Sequence, residues 1–322
     1  MTAVGKILLT GATGFVGAAL LTQLLKRTES SVVVACRTDI PALDVQCRVH
    51  NLGSFDAETS WDDALVDIDC VVHVAGRAHV FEKEANALEL FRQANTHATL
   101  NLARQSAASG VKRFVFISSI GVNGAFTTDT PFSENSVPSP CTDYAISKFE
   151  AEIGLMEIAR TTQMEVVIIR PPLVYAAHAP GNFWRLLKLV ATGVPLPFGL
   201  VRNSRSLIAL ENLVDLIMVC TYHPAAANQV FLASDGEDLS TGQLITCLAQ
   251  GMGRGGMLLP VPVTLLRVLA TLVRKQGIFT QLCGSLQIDS SKAVKVLGWT
   301  RPLSARAALA SAGKEFIGRT VV

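Results

Sequence analysis

Charged side chains are scarce in this sequence, at 17% of its 322 residues against about 25% in an average domain. Lysine and arginine nearly balance aspartate and glutamate, with a net charge of +2, and no block of basic residues occurs. Such a chain has no strong electrostatic field, so we expect no nucleic-acid partner. Hydrophobic residues make up 49% of the sequence, which excludes a disordered chain and predicts a sizeable core.

Leader-like and membrane-spanning segments are also missing. No charged leader with a cleavage site stands at the start, which predicts no signal peptide and a cytoplasmic protein. The most apolar late stretch, residues 257–273, is interrupted by Pro260, Pro262 and Arg267 and is too broken to span a bilayer. We expect a buried or interface helix there, with shallow contact with a membrane surface as the alternative.

Cysteine and histidine show no pattern of a disulfide scaffold or a metal site. The seven cysteines are scattered without a Cys-x-x-Cys pair, as expected for free thiols in a reducing cytoplasm. No His-Glu-x-x-His or comparable cluster occurs, so no metal is predicted. His73 lies in an apolar run, where we expect a strand residue whose ring is satisfied locally.

Short apolar runs alternate with helical spacing through the first half of the chain. The strand-like runs cover residues 6–10, 31–36, 70–76, 113–119 and 165–171, and helical spacing covers 15–27 and 85–108. Continuous apolar strands separated by helices predict an α/β fold with a doubly wound parallel (Rossmann) sheet covered on both faces. Ligands of such sheets bind at the carboxyl ends of the strands.

The pattern changes after Pro171, where proline and glycine become frequent and the order of elements is less regular. We therefore expect residues 1–171 to form a dinucleotide-binding domain. Residues 172–322 would form mainly a smaller, substrate-binding cap, whose segments can interleave with the first domain.

Three glycines follow the first predicted strand: Gly11, Gly14 and Gly17 in "TGATGFVG". Glycines at a strand-to-helix turn let backbone amides approach a pyrophosphate at the helix N-terminus, although an ordinary turn is the alternative. The predicted cofactor residues in this stretch are Gly11, Thr13, Gly14, Phe15, Val16 and Gly17.

The end of the second strand bears on which dinucleotide binds. Cys36 stands where an acidic residue would bind the 2′-hydroxyl of NAD, and Arg37 follows it. An arginine there suits the 2′-phosphate of NADP, so we favour NADP over NAD; the alternative is a solvated Arg37 with Asp39 at the ribose. Asn51 and Leu52 are predicted to border the adenine, with a plain turn as an equal alternative.

Tyr144 and Lys148, two residues of "TDYAISK", stand one helical turn apart in a chain with only three tyrosines. On one helix face they would be neighbours, and a lysine ammonium beside a phenol lowers the tyrosine pKa, as a general acid/base requires. The pair lies about 25 residues after a strand that ends in Ser118 and Ser119. Two unrelated surface residues would show the same spacing.

Taken together, the glycine turn, the strand-end serine, Tyr144-x-x-x-Lys148 and "RPPLVY" resemble the extended short-chain dehydrogenase/reductase family. Within it, the chain is similar to UDP-glucose 4-epimerase-like nucleotide-sugar epimerases and 4-ketoreductases over nearly its whole length. The resemblance implies that Ser119 hydrogen-bonds the reacting oxygen, that Tyr144 is the acid/base, and that Lys148 binds the nicotinamide ribose. Asn95 matches a supporting helix asparagine, with a packing role as an equal alternative. Further cofactor contacts are implied at Ala75, Gly76, Arg77, Ser118 and Pro171.

The resemblance also implies a UDP-sugar site formed with the cap. The predicted substrate residues are His79, Ser119, Asn182, Phe198 and Arg205, each with core packing or a surface position as the alternative. Phe198 would contact the base and Arg205 the diphosphate. One departure concerns the loop after "RPPLV": Ala176 and Ala177 stand where family members usually have Gly-Pro, so we expect a different loop shape.

The sequence leaves three hypotheses for the function. The dehydratase branch carries Asp-Glu directly after the strand-end serine or threonine, whereas Ile120 and Gly121 follow here, which disfavours dehydration. Arg37 favours reduction of a 4-keto UDP-sugar by NADPH; C4 epimerisation with tightly bound NAD is the alternative, and bacterial surface-polysaccharide synthesis includes both. A non-catalytic NAD(P)-binding sensor is a third hypothesis, disfavoured by the intact catalytic set. Apolar stripes on helices 85–108 and 143–160 predict a homodimer, or only packing on the sheet.

Overall fold

Parallel strands form the centre of the molecule, which we describe from a computed structural model for residues 5–26, 31–38, 47–78 and 86–320. The main sheet contains β1 (Ile7–Thr10), β2 (Val32–Cys36), β3 (Arg48–Asn51), β4 (Cys70–His73), β5 (Arg113–Ile117), β6 (Glu165–Arg170) and β9 (Gln229–Leu232). Their order is β3-β2-β1-β4-β5-β6-β9, and every neighbouring pair is parallel. The order reverses between β1 and β4, which is where such a sheet forms a ligand crevice.

Helices cover both faces of this sheet. In the described ranges they are α1 (Phe15–Leu25), α2 (Ala87–Phe91), α3 (Ala98–Ala108), α4 (Asp143–Thr161), α5 (Asn182–Ala191), α6 (Leu210–Tyr222), α7 (Thr241–Gly251), α8 (Val263–Leu272), α9 (Gln276–Cys283), α10 (Ser291–Leu297) and α11 (Ala305–Thr320). One core cluster joins α1 and α6 to one face of the sheet, and a second joins α3 and α4 to the other. Apolar side chains are buried on both faces, so the prediction of a doubly wound parallel sheet is confirmed.

A second, smaller layer lies beyond residue 172. It holds a two-stranded sheet of β7 (Val174–Tyr175) and β8 (Ile208–Ala209), and a core of its own formed largely by α5, α7 and α11. The chain is not divided cleanly, because β9 pairs with β6 in the main sheet and α6 packs on α1. Segments of the later chain therefore complete the first layer.

The apolar stretch 257–273 folds as a loop followed by α8. None of the side chains of α8 is buried, so of the expected buried or interface helix the buried form is wrong, and the interface form stays a prediction. None of the helices in the described ranges combines the length and the hydropathy needed to span a bilayer.

His73, at the end of β4, is fully buried, and both ring nitrogens have partners. Its Nδ1 lies 2.7 Å from Thr10 Oγ1 and its Nε2 lies 2.8 Å from Thr99 Oγ1. Burial lowers its pKa to about 3, so the ring is neutral. The expectation of a locally satisfied strand histidine is confirmed.

Candidate active site

The glycine turn between β1 and α1 leaves no room for side chains. Gly11 has a positive φ of 76°, and a Cβ placed on it would lie 2.6 Å from the backbone nitrogen of Ala75. A Cβ on Gly17 would lie 2.0 Å from the Gly11 carbonyl oxygen. No side chain caps α1 at Gly14, so the amides of its first turn remain available to a phosphate. These contacts support the predicted pyrophosphate cradle.

We expect Gly11→Ala to lower the free energy of unfolding by more than about 3 kcal/mol, since a backbone clash adds to the strain of positive φ. Gly110→Ala is the matched control: it has φ 81° with nothing within 4 Å, so only the strain of about 1–2 kcal/mol should appear. Urea unfolding of the two variants measures the difference. Equal losses would contradict the close approach of Gly11 to Ala75.

A cavity of about 520 Å³ opens at the carboxyl ends of β1, β2 and β4. Its volume lies in the range of small-molecule and cofactor sites. The lining residues are Gly11, Ala12, Thr13, Gly14, Ala35, Cys36, Arg37, Phe55, Val74, Ala75, Gly76, Arg77 and Ala94. Seven of the predicted cofactor residues are among them, from the glycine turn, from Arg37 and from the end of β4. This wall consists largely of backbone and small side chains, which suits an elongated dinucleotide.

The far end of the cavity is bordered differently from the prediction. The Asn51 side-chain oxygen accepts a hydrogen bond from the Gly53 amide at 2.9 Å, as in a turn, and Leu52 packs on the core. Neither residue lines the cavity, and Phe55 does so instead. Phe55 is stacked on His73 with a centroid distance of 5.6 Å. The sequence offered no signal for it, because the loop after β3 has no periodicity.

Lys148, on α4, lies behind Gly76 in the cavity wall. Its Nζ donates to the Ile117 carbonyl at 3.0 Å and lies 4.5 Å from the Phe116 ring centroid. A Cβ on Gly76 would lie 3.2 Å from this Nζ and 3.2 Å from Asn95 Oδ1. The ammonium therefore stands directly behind the backbone wall that the cofactor residues form. Burial lowers its pKa to about 8.

Asn95 connects this wall to α4. Its side chain accepts from the Arg77 amide at 2.8 Å, donates to the Arg77 carbonyl at 3.0 Å, and donates to Ser147 Oγ at 3.1 Å. It lies in a π-helical segment, Arg92–His97, between α2 and α3. Such segments often occur at functional sites. The geometry favours the supporting role of Asn95 over simple helix packing.

Tyr144 lies in the first turn of α4, one turn before Lys148, and the helix is capped by Thr142. The phenol is partly buried, meets the edge of Phe91 at 5.9 Å, and forms no hydrogen bond with the described residues. Burial raises its pKa to about 12. The chain's own groups therefore raise this pKa, and the expected lowering by Lys148 alone is wrong, because that ammonium is held on the Ile117 carbonyl.

The two strand-end serines point to different environments. Ser119 Oγ accepts from the Gly121 amide at 3.1 Å and stays partly open. A Cβ on Gly121 would lie 3.3 Å both from Ser119 Oγ and from the Ala145 Cβ, so this serine lies beside the first turn of α4. Ser118, in contrast, donates to the buried Glu152. Its side chain therefore faces the interior, and its backbone amide donates to the Ile169 carbonyl at 2.8 Å, so neither group is free for the predicted cofactor contact.

The Ser118 partner belongs to a buried polar network. Glu152 pairs with Arg170 at 2.5 Å, and Arg170 donates to Asn123 at 3.0 Å. Because both charges are paired and hydrogen-bonded, the network holds α4 against the strand ends.

Three further predicted cofactor residues have structural contacts. The carbonyl of Pro171 accepts a hydrogen bond from the Ile120 amide, and Phe15 and Val16 pack against the core.

The predicted substrate residues do not share one environment. Arg205 is half-buried, donates to the Gly284 carbonyl at 3.1 Å, and has its pKa lowered by burial. Asn182 opens α5 and donates to Gln281 at 2.9 Å. Phe198 is only 8% exposed and belongs to the cap core, which favours the packing alternative. His79 lies outside the described residues, as does Asp39.

The loop that departs from the family pattern is buried. Ala176 and Ala177 are covered, and neither has positive φ, so this loop does not take the shape that glycine allows. Tyr175 before them donates to Asp235 at 2.6 Å and anchors the loop to the cap. No cluster of three or more metal-ligating side chains exists in the described part of the chain.

Comparisons with known proteins agree with this geometry. The family model described as "NAD dependent epimerase/dehydratase family" matches residues 7–232. A UDP-glucose 4-epimerase of Vibrio cholerae is 45% identical over 300 residues, which are 92% of this chain and 91% of that protein. An N-acetyl-alpha-D-glucosaminyl-diphospho-ditrans,octacis-undecaprenol 4-epimerase of Escherichia coli O157:H7 is 28% identical over 89% of this chain and 88% of its own. The crystal structure of UDP-glucuronic acid 4-epimerase from Bacillus cereus with NAD superposes with a TM-score of 0.76, at 21% identity, over 98% of this chain and 99% of that one.

Proposed function

Because the chain belongs to the NAD dependent epimerase/dehydratase family, we propose that it transfers hydride at C4 of a UDP-linked hexose or N-acetylhexosamine, with epimerisation as the net reaction. The observation that carries the proposal is the convergence of Lys148, Asn95 and Gly76 behind the cavity, one turn from Tyr144. The 45% identity to a UDP-glucose 4-epimerase over 92% of the chain supports epimerisation over the reduction that Arg37 favoured.

We assign the role of general acid/base to Tyr144. As the phenolate, Tyr144 would accept the proton of the sugar 4-hydroxyl as hydride leaves C4, and as the phenol it would return that proton when hydride returns to the other face. Among the described residues its hydroxyl has no hydrogen-bond partner. Ser119, open beside the first turn of α4, holds the same oxygen by a hydrogen bond. One donor and one acceptor at one oxygen fix the geometry that proton transfer needs.

A bound nicotinamide dinucleotide supplies the hydride acceptor and donor and, when oxidised, a positive charge close to the phenol. That charge is needed, because burial raises the pKa of Tyr144 to about 12. Lys148 would exchange the Ile117 carbonyl for the ribose hydroxyls without leaving its pocket. Arg205, with a desolvated guanidinium, would hold the substrate diphosphate.

The test is direct. Purified protein is incubated with UDP-glucose, UDP-galactose and their N-acetyl forms, and the products are separated by anion-exchange chromatography and identified by NMR. We expect interconversion of at least one pair of C4 epimers without added cofactor, since an epimerase regenerates its NAD in each turnover. Formation of no epimer, with or without NAD, contradicts the proposal.

A second candidate is the reduction of a 4-keto UDP-sugar by NADPH. It is favoured by the exposed Arg37 at the cavity and by Cys36 in place of an acidic residue. If Arg37 binds a 2′-phosphate, Arg37→Ala should weaken NADPH binding by about tenfold or more and leave NADH binding nearly unchanged. Fluorescence titration with both cofactors measures this, and tighter NADH binding by the unaltered protein would rule the preference out.

A homodimer is part of the same proposal. On α4, Ile153 is 56% exposed and, with Phe149 and Met156, borders an open groove. An exposed apolar face on this helix supports the two-fold interface expected from the family. Light scattering of Ile153→Glu beside the unaltered protein would report loss of the dimer.

A further inference from the structure

A complete apolar stripe faces outward on α8. It is formed by Leu265, Val268, Leu269, Leu272 and Val273, at positions i, i+3, i+4, i+7 and i+8, and these side chains are between 49% and 73% exposed. This periodicity places them on one helix face. An amphipathic helix in a globular protein normally turns such a stripe inward, so its outward direction needs a partner.

The outward direction is built into the fold. On the opposite side of α8, Val263 and Leu266 pack against the cap core. The helix ends at Leu272, and Arg274 just after it has a left-handed conformation with φ 53°, which turns the chain into α9. Arg267 lies 5.6 Å from the Phe279 ring centroid and ties the two helices together. We call α8 and α9 the apolar hairpin.

The two stretches of sequence that form the apolar hairpin and much of the cap carry charge of one sign. Residues 172–210 and 239–288 contain no aspartate or glutamate, although the whole chain carries 26. Eight arginines and lysines lie in the same two ranges, and they are Arg185, Lys188, Arg202, Arg205, Arg254, Arg267, Arg274 and Lys275. The chain's net charge of +2 conceals this asymmetry. Arg267, Arg274 and Lys275 lie on the apolar hairpin itself and are exposed, and basic groups beside an apolar stripe complement an anionic lipid surface.

The apolar hairpin also borders the predicted substrate residues. Gln281, on α9, accepts from Asn182, and the carbonyl of Gly284, just after α9, accepts from Arg205. A partner bound on the apolar hairpin would therefore lie close to two of the predicted substrate residues, Asn182 and Arg205.

We propose that the apolar hairpin docks the protein on an anionic lipid bilayer, with its stripe in the interface and its basic residues against the headgroups. A second copy of this chain is a poorer occupant, because it would bring two basic surfaces together. A bilayer accepts both the apolar and the basic groups at once. Docking would turn the substrate cleft towards the membrane surface.

The experiment is flotation of the full-length protein with vesicles of phosphatidylglycerol and phosphatidylcholine, beside vesicles of phosphatidylcholine alone. We expect binding to the anionic vesicles, weakened by salt. The Leu269→Glu/Leu272→Glu variant should lose more than about tenfold in affinity for each leucine. Arg274→Gln and Lys275→Gln should each lose about fivefold.

Val66→Glu is the matched control. Val66 is 48% exposed, like Leu269 at 49%, and lies at the opposite, amino-terminal edge of the sheet, just before β4. It should bind like the unaltered protein, and all variants should turn over a soluble sugar nucleotide equally, which separates this test from that of the proposed function. Two results overturn the proposal: no binding of the unaltered protein to anionic vesicles, or a dimer that the double leucine variant converts to monomers without any vesicle binding.

Discussion

Tyr144→Phe is expected to lower turnover by about 10²- to 10⁴-fold, the range attributed to general acid–base catalysis, while cofactor binding is retained. Only the hydroxyl is removed, and in the described structure it contacts no hydrogen-bonding group. The ring keeps its edge contact with Phe91. Folding should therefore change little, and the loss belongs to the chemical step.

Tyr175→Phe is the control, because it removes the same atom from a buried tyrosine that lies outside the cavity. Its hydroxyl donates to Asp235 at 2.6 Å, and its oxygen lies 3.2 Å from the Ala305 carbonyl oxygen. Removing it should cost about 1–3 kcal/mol of stability and leave turnover nearly unchanged. Epimer formation and urea unfolding of the two variants separate chemistry from folding.

The Tyr144→Phe result also distinguishes an enzyme from a sensor. A sensor needs the cradle and would keep both cofactor binding and its biological effect. If turnover survives within about threefold, the phenol is not the acid/base and the mechanism fails. If cofactor binding disappears together with turnover, the variant has disturbed the cavity, and a catalytic role for the hydroxyl is not supported.

Lys148→Met is expected to abolish turnover and, at neutral pH, to stabilise the protein. The ammonium is buried, and burial lowers its pKa from 10.5 to about 8. Since a pKa unit corresponds to about 1.4 kcal/mol, holding the charge in this site costs on the order of 3 kcal/mol. Loss of the hydrogen bond to Ile117 offsets part of that, which leaves a net gain of about 1–2 kcal/mol.

The gain should depend on pH in a defined direction. Between pH 8 and pH 10.5 the unfolded chain binds more protons at this lysine than the folded protein does, so the stability of the unaltered protein rises with pH. The advantage of Lys148→Met is therefore full below pH 8 and fades towards pH 10.5. Denaturant unfolding at several pH values measures it.

Lys314→Met provides the comparison for that series, because Lys314 is exposed on α11. It should change the free energy of unfolding by less than about 0.5 kcal/mol at every pH. A Lys148→Met variant that is less stable than the unaltered protein at pH 7 would show that the ammonium stabilises the fold. The inference that the buried ammonium of Lys148 lowers the stability of the protein would then be wrong.

Local patterns were sufficient for the parts of this protein that depend on neighbours in the chain. Apolar runs, helical spacing and the glycine triplet predicted the doubly wound sheet and the side of it where the cavity opens. The spacing of Tyr144 and Lys148 predicted a shared helix face, which α4 provides. These features are local because one turn, one strand or one helix contains all the residues involved.

The uneven distribution of charge in the cap can also be read from the sequence, although the net charge of +2 does not reveal it. Acid-free ranges at 172–210 and 239–288 are separated by a segment that holds Asp235 and Glu237. Only the fold brings the two ranges to one layer, so the composition of the whole chain underestimated the basic surface.

What the sequence by itself determined is the alternation of strands and helices in the first half of the chain and the residue types at the carboxyl edge of the sheet. The tertiary structure alone decided where individual side chains lie: Ser118 against Glu152, Ser119 beside the first turn of α4, Phe55 at the cavity, and the stripe of α8 on the outside. It also decided the sign of the Tyr144 pKa shift. The physical reason is that burial and direction depend on contacts between residues far apart in the chain, and desolvation, which sets these pKa values, has no local sequence signal.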